Sequence, residues 1–275
     1  MSLPDNLFSP SSPQVMAIIN VTDDSFYAES RTSTADAICE RVRGAMADGV
    51  RLFDVGGYSS RPNAVDISLD EEWHRVELGI ASIREVSKDV TISVDTFRAE
   101  VVRRAVEQFG QIVVNDISAG EQDPAIVDVV AHYDLPYVAM HMRGTPQTMQ
   151  GMTAYEKDIT TEVCDYFARR CDELHAAGVR QIILDPGFGF AKTLEQNYQL
   201  LAGLNRLCEM GYPVLVGLSR KSMIYKALDT TPDNALAGTT ALHWEALRQG
   251  ASVLRVHDTR EACDVVSIFN KFLSF

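Results

Sequence analysis

Eight times along the chain a short apolar run closes on a polar residue or a small hinge. VMAIIN ends at Asn20, LFDVGG passes Asp54, TISVD ends at Asp95, and IVVND reaches Asn115 and Asp116. YVAMH ends at His141, IILD at Asp185, VLVGLSRK at Ser219 and Lys221, and VLRVHD at Arg255, His257 and Asp258. Runs this short and apolar, bounded by glycine, predict strands buried on both faces of a parallel sheet. A polar group hidden from water costs free energy unless it is paired. Polar residues repeated at the carboxyl ends therefore predict a shared rim with a chemical purpose.

Between the runs the apolar positions recur at helical spacing. From Thr34 to Ala47, Ile38, Val42, Ala45 and Met46 share one face, and Gly49 stops the helix. Ser68 with an acidic third position after it approaches a capping box ahead of Trp73, Val76 and Ile80. Further helices are predicted over 98–109, 123–133, 158–177, 194–210, 238–249 and 259–272. Strand followed by helix, eight times over, predicts a closed α/β fold, the (β/α)8 TIM barrel. An open dinucleotide-binding sheet is the runner-up, but it wants GxGxxG after the first strand, where none occurs.

Residues 1–13 carry three prolines and four serines and are expected to form a loose lead-in; 14–275 are expected to form a single domain. A net charge of −13 argues against a nucleic-acid footprint, though not against an anionic small ligand held by local cations. The five cysteines are odd in number and form no CxxC pair, as suits thiols in a reducing cytosol. No stretch approaches the roughly 18 apolar residues of a membrane span, and no basic segment precedes an apolar core at the N-terminus. A cytoplasmic protein without membrane partners is expected.

Asp95, Asn115 and Asp185 each close a strand. Two carboxylates and an amide pointing into one barrel mouth suit a ligand with a fixed array of N–H donors. The 2-amino-4-oxo edge of a pterin or guanine is such an array. Taken singly, each residue could instead be a helix N-cap. Lys221, Arg220, Arg255 and His257, with Arg61, form a second, cationic group at the ends of strands 7, 8 and 2, pointing to an anion such as phosphate. With Asn20, whose amide oxygen could ligate Mg²⁺, this group resembles a diphosphate clamp. Asp185-Pro-Gly-Phe-Gly-Phe190 allows close backbone approach to a flat ligand, with Phe190 packing near it. Met140 reads as apolar lining and His141 as a structural histidine.

These residues together resemble the dihydropteroate synthase family, from Val15 to about Val266. The resemblance rests on Asn20-Val-Thr-Asp-Asp-Ser-Phe26, Asp54-Val-Gly-Gly-Tyr-Ser-Ser-Arg-Pro62, Ser93-Val-Asp-Thr96 and Asn115-Asp-Ile117. It extends over Met140-His-Met142, Leu184-Asp-Pro-Gly-Phe-Gly-Phe190, Gly217-Leu-Ser-Arg-Lys-Ser222 and Arg255-Val-His-Asp258. It implies a homodimeric barrel that condenses (7,8-dihydropterin-6-yl)methyl diphosphate with 4-aminobenzoate, releasing diphosphate.

By the same resemblance, Asp95, Asn115, Asp185 and Lys221 would hold the pterin, lined by Ile117, Met140, Phe190 and Gly217. Arg255 would stack over the ring while also joining His257 and Asn20, which holds Mg²⁺, at the diphosphate, and Ser60, on the second loop with Arg61 and Pro62, would contact the pterin diphosphate. Lys221, Arg255, His257 and Asn20 would be the catalytic set. Phe26, Arg61, Pro62 and Ser222 would belong to the loops and the aminobenzoate site.

Two departures stand out. Ala28 replaces the first-loop aspartate that approaches the metal in the family, leaving Glu29, Asp24, or diphosphate with Asn20 and water to complete the coordination. Tyr58 and Ser60 replace the commoner glutamate and threonine. A methyltetrahydrofolate-binding barrel of a corrinoid methyltransferase system is the rival reading. It would share the Asp95–Asn115–Asp185 set but has no use for cations at Lys221, Arg255 and His257.

Overall fold

A computed structural model of the chain describes residues 8–21, 35–60 and 65–274. Its strands are β1 (Gln14–Asn20), β2 (Leu52–Gly56), β3 (Thr91–Asp95), β4 (Val113–Asp116), β5 (Tyr137–Met140), β6 (Ile182–Asp185), β7 (Leu215–Val216) and β8 (Val253–Val256). All the pairings are parallel, in the order β6-β5-β4-β3-β2-β1-β8-β7, and the bridge Leu184↔Val214 brings the outer strands together. The strand–helix alternation thus closes as the expected (β/α)8 barrel.

Side chains alternate along each strand, so one set faces the helices and the other the barrel interior. Ala17, Ile19, Phe53, Val55, Ile92, Val94 and Val114 join the apolar shell under the helices. Met16, Leu52, Val113, Val138, Ile183, Leu215 and Val253 form a separate apolar floor, into which Phe8 packs. Two residues further along, the interior turns polar on β2, β4, β6 and β8, at Asp54, Asn115, Asp185 and Arg255, and β3 adds Asp95, while Ile18 and Met140 stay apolar on β1 and β5. Apolar burial holds the amino-terminal end, and charge is confined to the carboxyl-terminal end.

The helices are α1 (Ala35–Ala47), α2 (Leu69–Val86), α3 (Ala99–Phe109), α4 (Ala125–Tyr133), α5 (Ile159–Ala176), α6 (Leu194–Ala202), α7 (Leu204–Cys208), α8 (Ser222–Ala227), α9 (Leu236–Arg248) and α10 (Thr259–Leu273). Ser68 caps α2 by accepting from Glu71 N–H, while the Glu71 carboxylate turns to Arg75, 2.7 Å away. The capping box expected there is therefore half made, and the complete one is Thr193–Gln196 at α6. The helix expected over 194–210 is broken at Gly203, whose backbone packs on α5: a Cβ there would lie 2.7 Å from Thr160 Oγ1. The seventh apolar run forms only two strand residues before turning into α8, because Arg220 adopts left-handed backbone at φ 56°. Among the described residues no helix is long and apolar enough to cross a membrane, and the five cysteines are free thiols.

Candidate active site

Parallel register sets Asp95 opposite Asn115 across β3 and β4, and Met140 opposite Asp185 across β5 and β6. Asp54, one turn of the pleat below the rim on β2, is fully buried in the interior. A carboxylate there must be paired. Its Oδ2 accepts from Arg255 Nε at 2.6 Å and from Asn115 Nδ2 at 3.0 Å. Arg255 Nη2 also donates to Asp95 Oδ2 at 2.6 Å. One guanidinium therefore links β8 to β2 and β3, and one carboxylate orients both Arg255 and Asn115.

Burial pushes the Asp95 carboxyl above its ordinary value; Arg255 pulls it back down and the nearby Asp54 charge raises it again. Burial works against the charge of Arg255 too, but the Asp54 and Asp95 carboxylates hold its guanidinium above the ordinary value. Only Oδ2 of Asp95 is engaged; its Oδ1 takes no hydrogen bond from a described residue.

Asp185 faces the same interior from β6. Its Oδ1 accepts the Gly187 N–H at 2.8 Å. Burial raises its carboxyl, and Lys221 is the main group lowering it. Burial brings the Lys221 ammonium down to about 8, with Asp185 holding it up, so it stays charged near neutral pH. Lys221 Nζ donates to the Phe188 carbonyl and sits 4.8 Å from the centroid of the Phe190 ring. It is also the nearest neighbour, at 3.8 Å, to the position a Cβ would take on Gly217. Ile117, Met140, Met142, Met149 and Ala191 cluster with Phe97 and Phe190 as the apolar wall of the mouth.

Two of the expected cations have other roles. Arg220, read from the sequence as part of the anion clamp, is buried and grips Asp258 with two bonds of 2.9 and 2.7 Å. It also donates to the carbonyls of Pro232 and Asp233. This fork is a structural tie between the β7 and β8 loops. His257 sits at the rim, its Nδ1 3.0 Å from Ser219 Oγ, which also accepts the His257 backbone N–H. Burial, then Arg255 and its neighbouring cations, push the imidazole down to about 3. His257 is therefore a neutral hydrogen-bonding ring at this rim, not a cation. Its ¹⁵N resonances are expected to remain those of neutral imidazole down to pH 5; a titration near pH 6.5 would refute this.

Asn20 closes β1 with its amide oxygen over β2, 3.3 Å from where a Gly56 Cβ would lie. Ser222 opens α8 directly after Lys221, and Ser60 is half-buried after Tyr58, whose ring meets Phe97 edge-on at 5.2 Å. Phe26, Arg61 and Pro62 lie outside the described residues, as do Asp24, Ala28 and Glu29. His141 is buried among Tyr155, Tyr166 and Lys192, as befits a structural histidine. The residues that sequence reasoning undervalued are Asp54 and Ser219. A charged residue inside an apolar strand was the available signal for Asp54; Ser219 was visible as a strand-end hydroxyl, but nothing in sequence paired it with His257.

The chain matches the family model described as pterin binding enzyme over residues 16–257. It is 40% identical over 261 residues to a dihydropteroate synthase of Haemophilus influenzae, covering 94% of each chain. The dihydropteroate synthase of Yersinia pestis, solved as a sulfonamide drug complex, superposes with a TM-score of 0.91 at 36% identity over 97% of this chain and 96% of that one. The Xanthomonas albilineans enzyme, solved with 4-aminobenzoic acid, gives 0.87 at 36% identity over 97% and 95%. Sequence, barrel and rim agree: the chain belongs to the dihydropteroate synthase family of pterin-binding enzymes.

Proposed function

We infer that the chain joins (7,8-dihydropterin-6-yl)methyl diphosphate to 4-aminobenzoate, giving 7,8-dihydropteroate and diphosphate. The observation that carries this is the convergence of Asp95, Asn115 and Asp185 on one mouth beside Lys221 and Arg255. The acceptors read the pterin ring edge, and Lys221 meets its carbonyl side. Arg255, Asn20 and His257 serve the diphosphate. Met140, Ile117 and Phe190 line the ring's faces, and Gly217 leaves room beneath it. Ser222 with Lys221 takes the aminobenzoate carboxylate, with Phe26, Ser60, Arg61 and Pro62 contributing from the loops. The cations at β7 and β8 count against the methyltetrahydrofolate-binding alternative.

In the reaction the methylene C–O bond breaks, and diphosphate departs with the electron pair. The pterin ring nitrogens spread the positive charge left on the methylene. The neutral arylamine nitrogen then forms the C–N bond and loses a proton, so no strong general base is needed. Arg255 and the His257 ring meet the charge that builds on the leaving group, a preorganised electrostatic contribution. Among the described residues no three His, Cys, Asp or Glu side chains converge as a metal cage. Mg²⁺ arriving with diphosphate needs only one or two protein oxygens, which the Asn20 amide fits. When bound there, Mg²⁺ would neutralise leaving-group charge.

The same proposal includes one domain over 14–275, a cytoplasmic location and a homodimer. Ile268, Phe272 and Leu273 on α10 are more than half exposed and offer apolar surface for a second copy.

Purified protein mixed with dihydropterin diphosphate, Mg²⁺ and 4-aminobenzoate is expected to release diphosphate and form dihydropteroate. Release no faster than from Lys221→Ala would overturn the assignment.

A further inference from the structure

Lys192 is a buried lysine, 6% exposed, with no carboxylate at ion-pair distance among the described residues and no part in the chemistry above; burial brings its amine down to about 7, with Asp185 the main group holding it up. It follows the glycine-rich turn after β6. Its Nζ lies 3.0 Å from the carbonyl oxygens of Gly187 and Phe190, 3.5 Å from that of His141, and 3.0 Å from His141 Nδ1. Burial, then Lys192 and Arg143, push the His141 imidazole well below its ordinary value. A neutral ring can offer Nδ1 as an acceptor. Burying an amine is costly unless acceptors meet its N–H groups, and here three carbonyls and an imidazole lie within reach.

The turn so gathered carries much of the pterin site. Gly187 N–H holds Asp185 Oδ1, the Phe188 carbonyl accepts from Lys221, and Phe190 lies beside the Lys221 ammonium. Gly187 and Gly189 have left-handed backbone, φ 67° and 83°, and contribute no side chain to fix the turn. A Cβ on Gly187 would run into the His141 carbonyl oxygen, so the β5 and β6 loops touch here at backbone distance. Carbonyl dipoles crowded together repel one another, and a shared N–H donor group at their focus, charged or neutral, offsets that repulsion with hydrogen bonds.

We propose that Lys192 is a positioning residue that holds the Gly187–Phe190 turn in the shape that sets Asp185 and Lys221 for the pterin ring. This rests on the pterin roles given to those two residues above. Lys192 itself touches no substrate; its contacts are carbonyls and His141.

The test compares two ligands on wild type and Lys192→Met by calorimetry: 6-hydroxymethylpterin, and inorganic diphosphate with Mg²⁺. Asn20 stands at the end of β1, and Arg255 and His257 at the end of β8, whereas the turn follows β6, so the diphosphate end serves as the internal control. The variant is expected to lose about tenfold to a hundredfold in pterin affinity, the scale of a small misplacement of binding groups, while diphosphate affinity stays within about twofold. Unchanged pterin affinity in the folded variant, or equal losses for both ligands, would overturn the proposal. Where Lys192→Met does not fold, Lys192→Gln keeps two N–H donors without the charge. It is expected to show the same selective loss, smaller in size, and an unchanged affinity again overturns the proposal. Failure of the pterin assignment itself would show in the wild type, as no binding of hydroxymethylpterin at all.

Discussion

Arg255→Ala is expected to lose about 3–5 kcal/mol of folding stability, the cost of stripping one partner from a buried ion pair, and to abolish turnover. The guanidinium is shared by Asp54, which is fully buried, and Asp95. Its removal leaves two carboxylates in one interior with only the Asn115 amide between them and no opposite charge at hydrogen-bond distance. Denaturant unfolding at pH 7 and pH 5 checks both size and cause. Asp95 is already raised by burial, and loss of Arg255 removes the main group pulling it down. An acid raised in the folded state binds protons there more tightly than in the unfolded chain. Stability of the variant therefore grows as pH falls toward the unfolded carboxyl value of about 4 and declines as pH rises through the folded value. The deficit is expected to be smaller at pH 5 than at pH 7. Equal deficits, or one below about 1 kcal/mol, would show that the pairing is not what holds this part of the barrel.

Asp185→Asn is expected to lower kcat/KM for dihydropterin diphosphate by about 10²–10³-fold while leaving the fold intact, as removal of one preorganised electrostatic contact does elsewhere. The amide oxygen can still accept from Gly187 N–H, so the turn keeps its anchor. The amide NH₂, however, presents donors to a ring edge that is itself made of donors, and a site built for one hydrogen-bond pattern rejects its inverse strongly. A second consequence separates this from simple misfolding. Asp185 is the main group holding the Lys221 ammonium up, at about 8, against burial. Without it Lys221 deprotonates at lower pH, and the alkaline limb of kcat/KM is expected to shift down relative to wild type. A loss under about tenfold with an unmoved limb would remove Asp185 from the pterin site.

The barrel and its rim were legible because parallel strands buried on both faces tolerate few polar residues, so each exception at a strand end marked the mouth. What stayed hidden were pairings made across long stretches of chain. Arg220 and Asp258 are separated by 38 positions, and only folding shows that this arginine is spent on a carboxylate. Asp54 stood in plain view inside LFDVGG, yet its two partners come from β4 and β8. His257 looked cationic because the composition of a rim does not reveal its burial. Lys192 followed a recognisable turn, but a lysine that caps carbonyls has no sequence mark distinguishing it from one in solvent. The break at Gly203 and the two-residue β7 likewise depend on close packing against α5 and on the backbone of Arg220, neither of which the apolar pattern records.

The barrel is not equally strong around its circumference. β6 meets β7 at the single bridge Leu184↔Val214, and β7 itself is two residues long. Asp185 stands on one side of this seam and Lys221 follows the other. A flat ligand gripped by both acts as a stitch across the weakest join, adding through its own ring the cross-links that the backbone supplies elsewhere. Binding free energy then falls on the least protected opening motion of the fold, and amides flanking the seam should be the ones whose hydrogen exchange slows most when pterin is present.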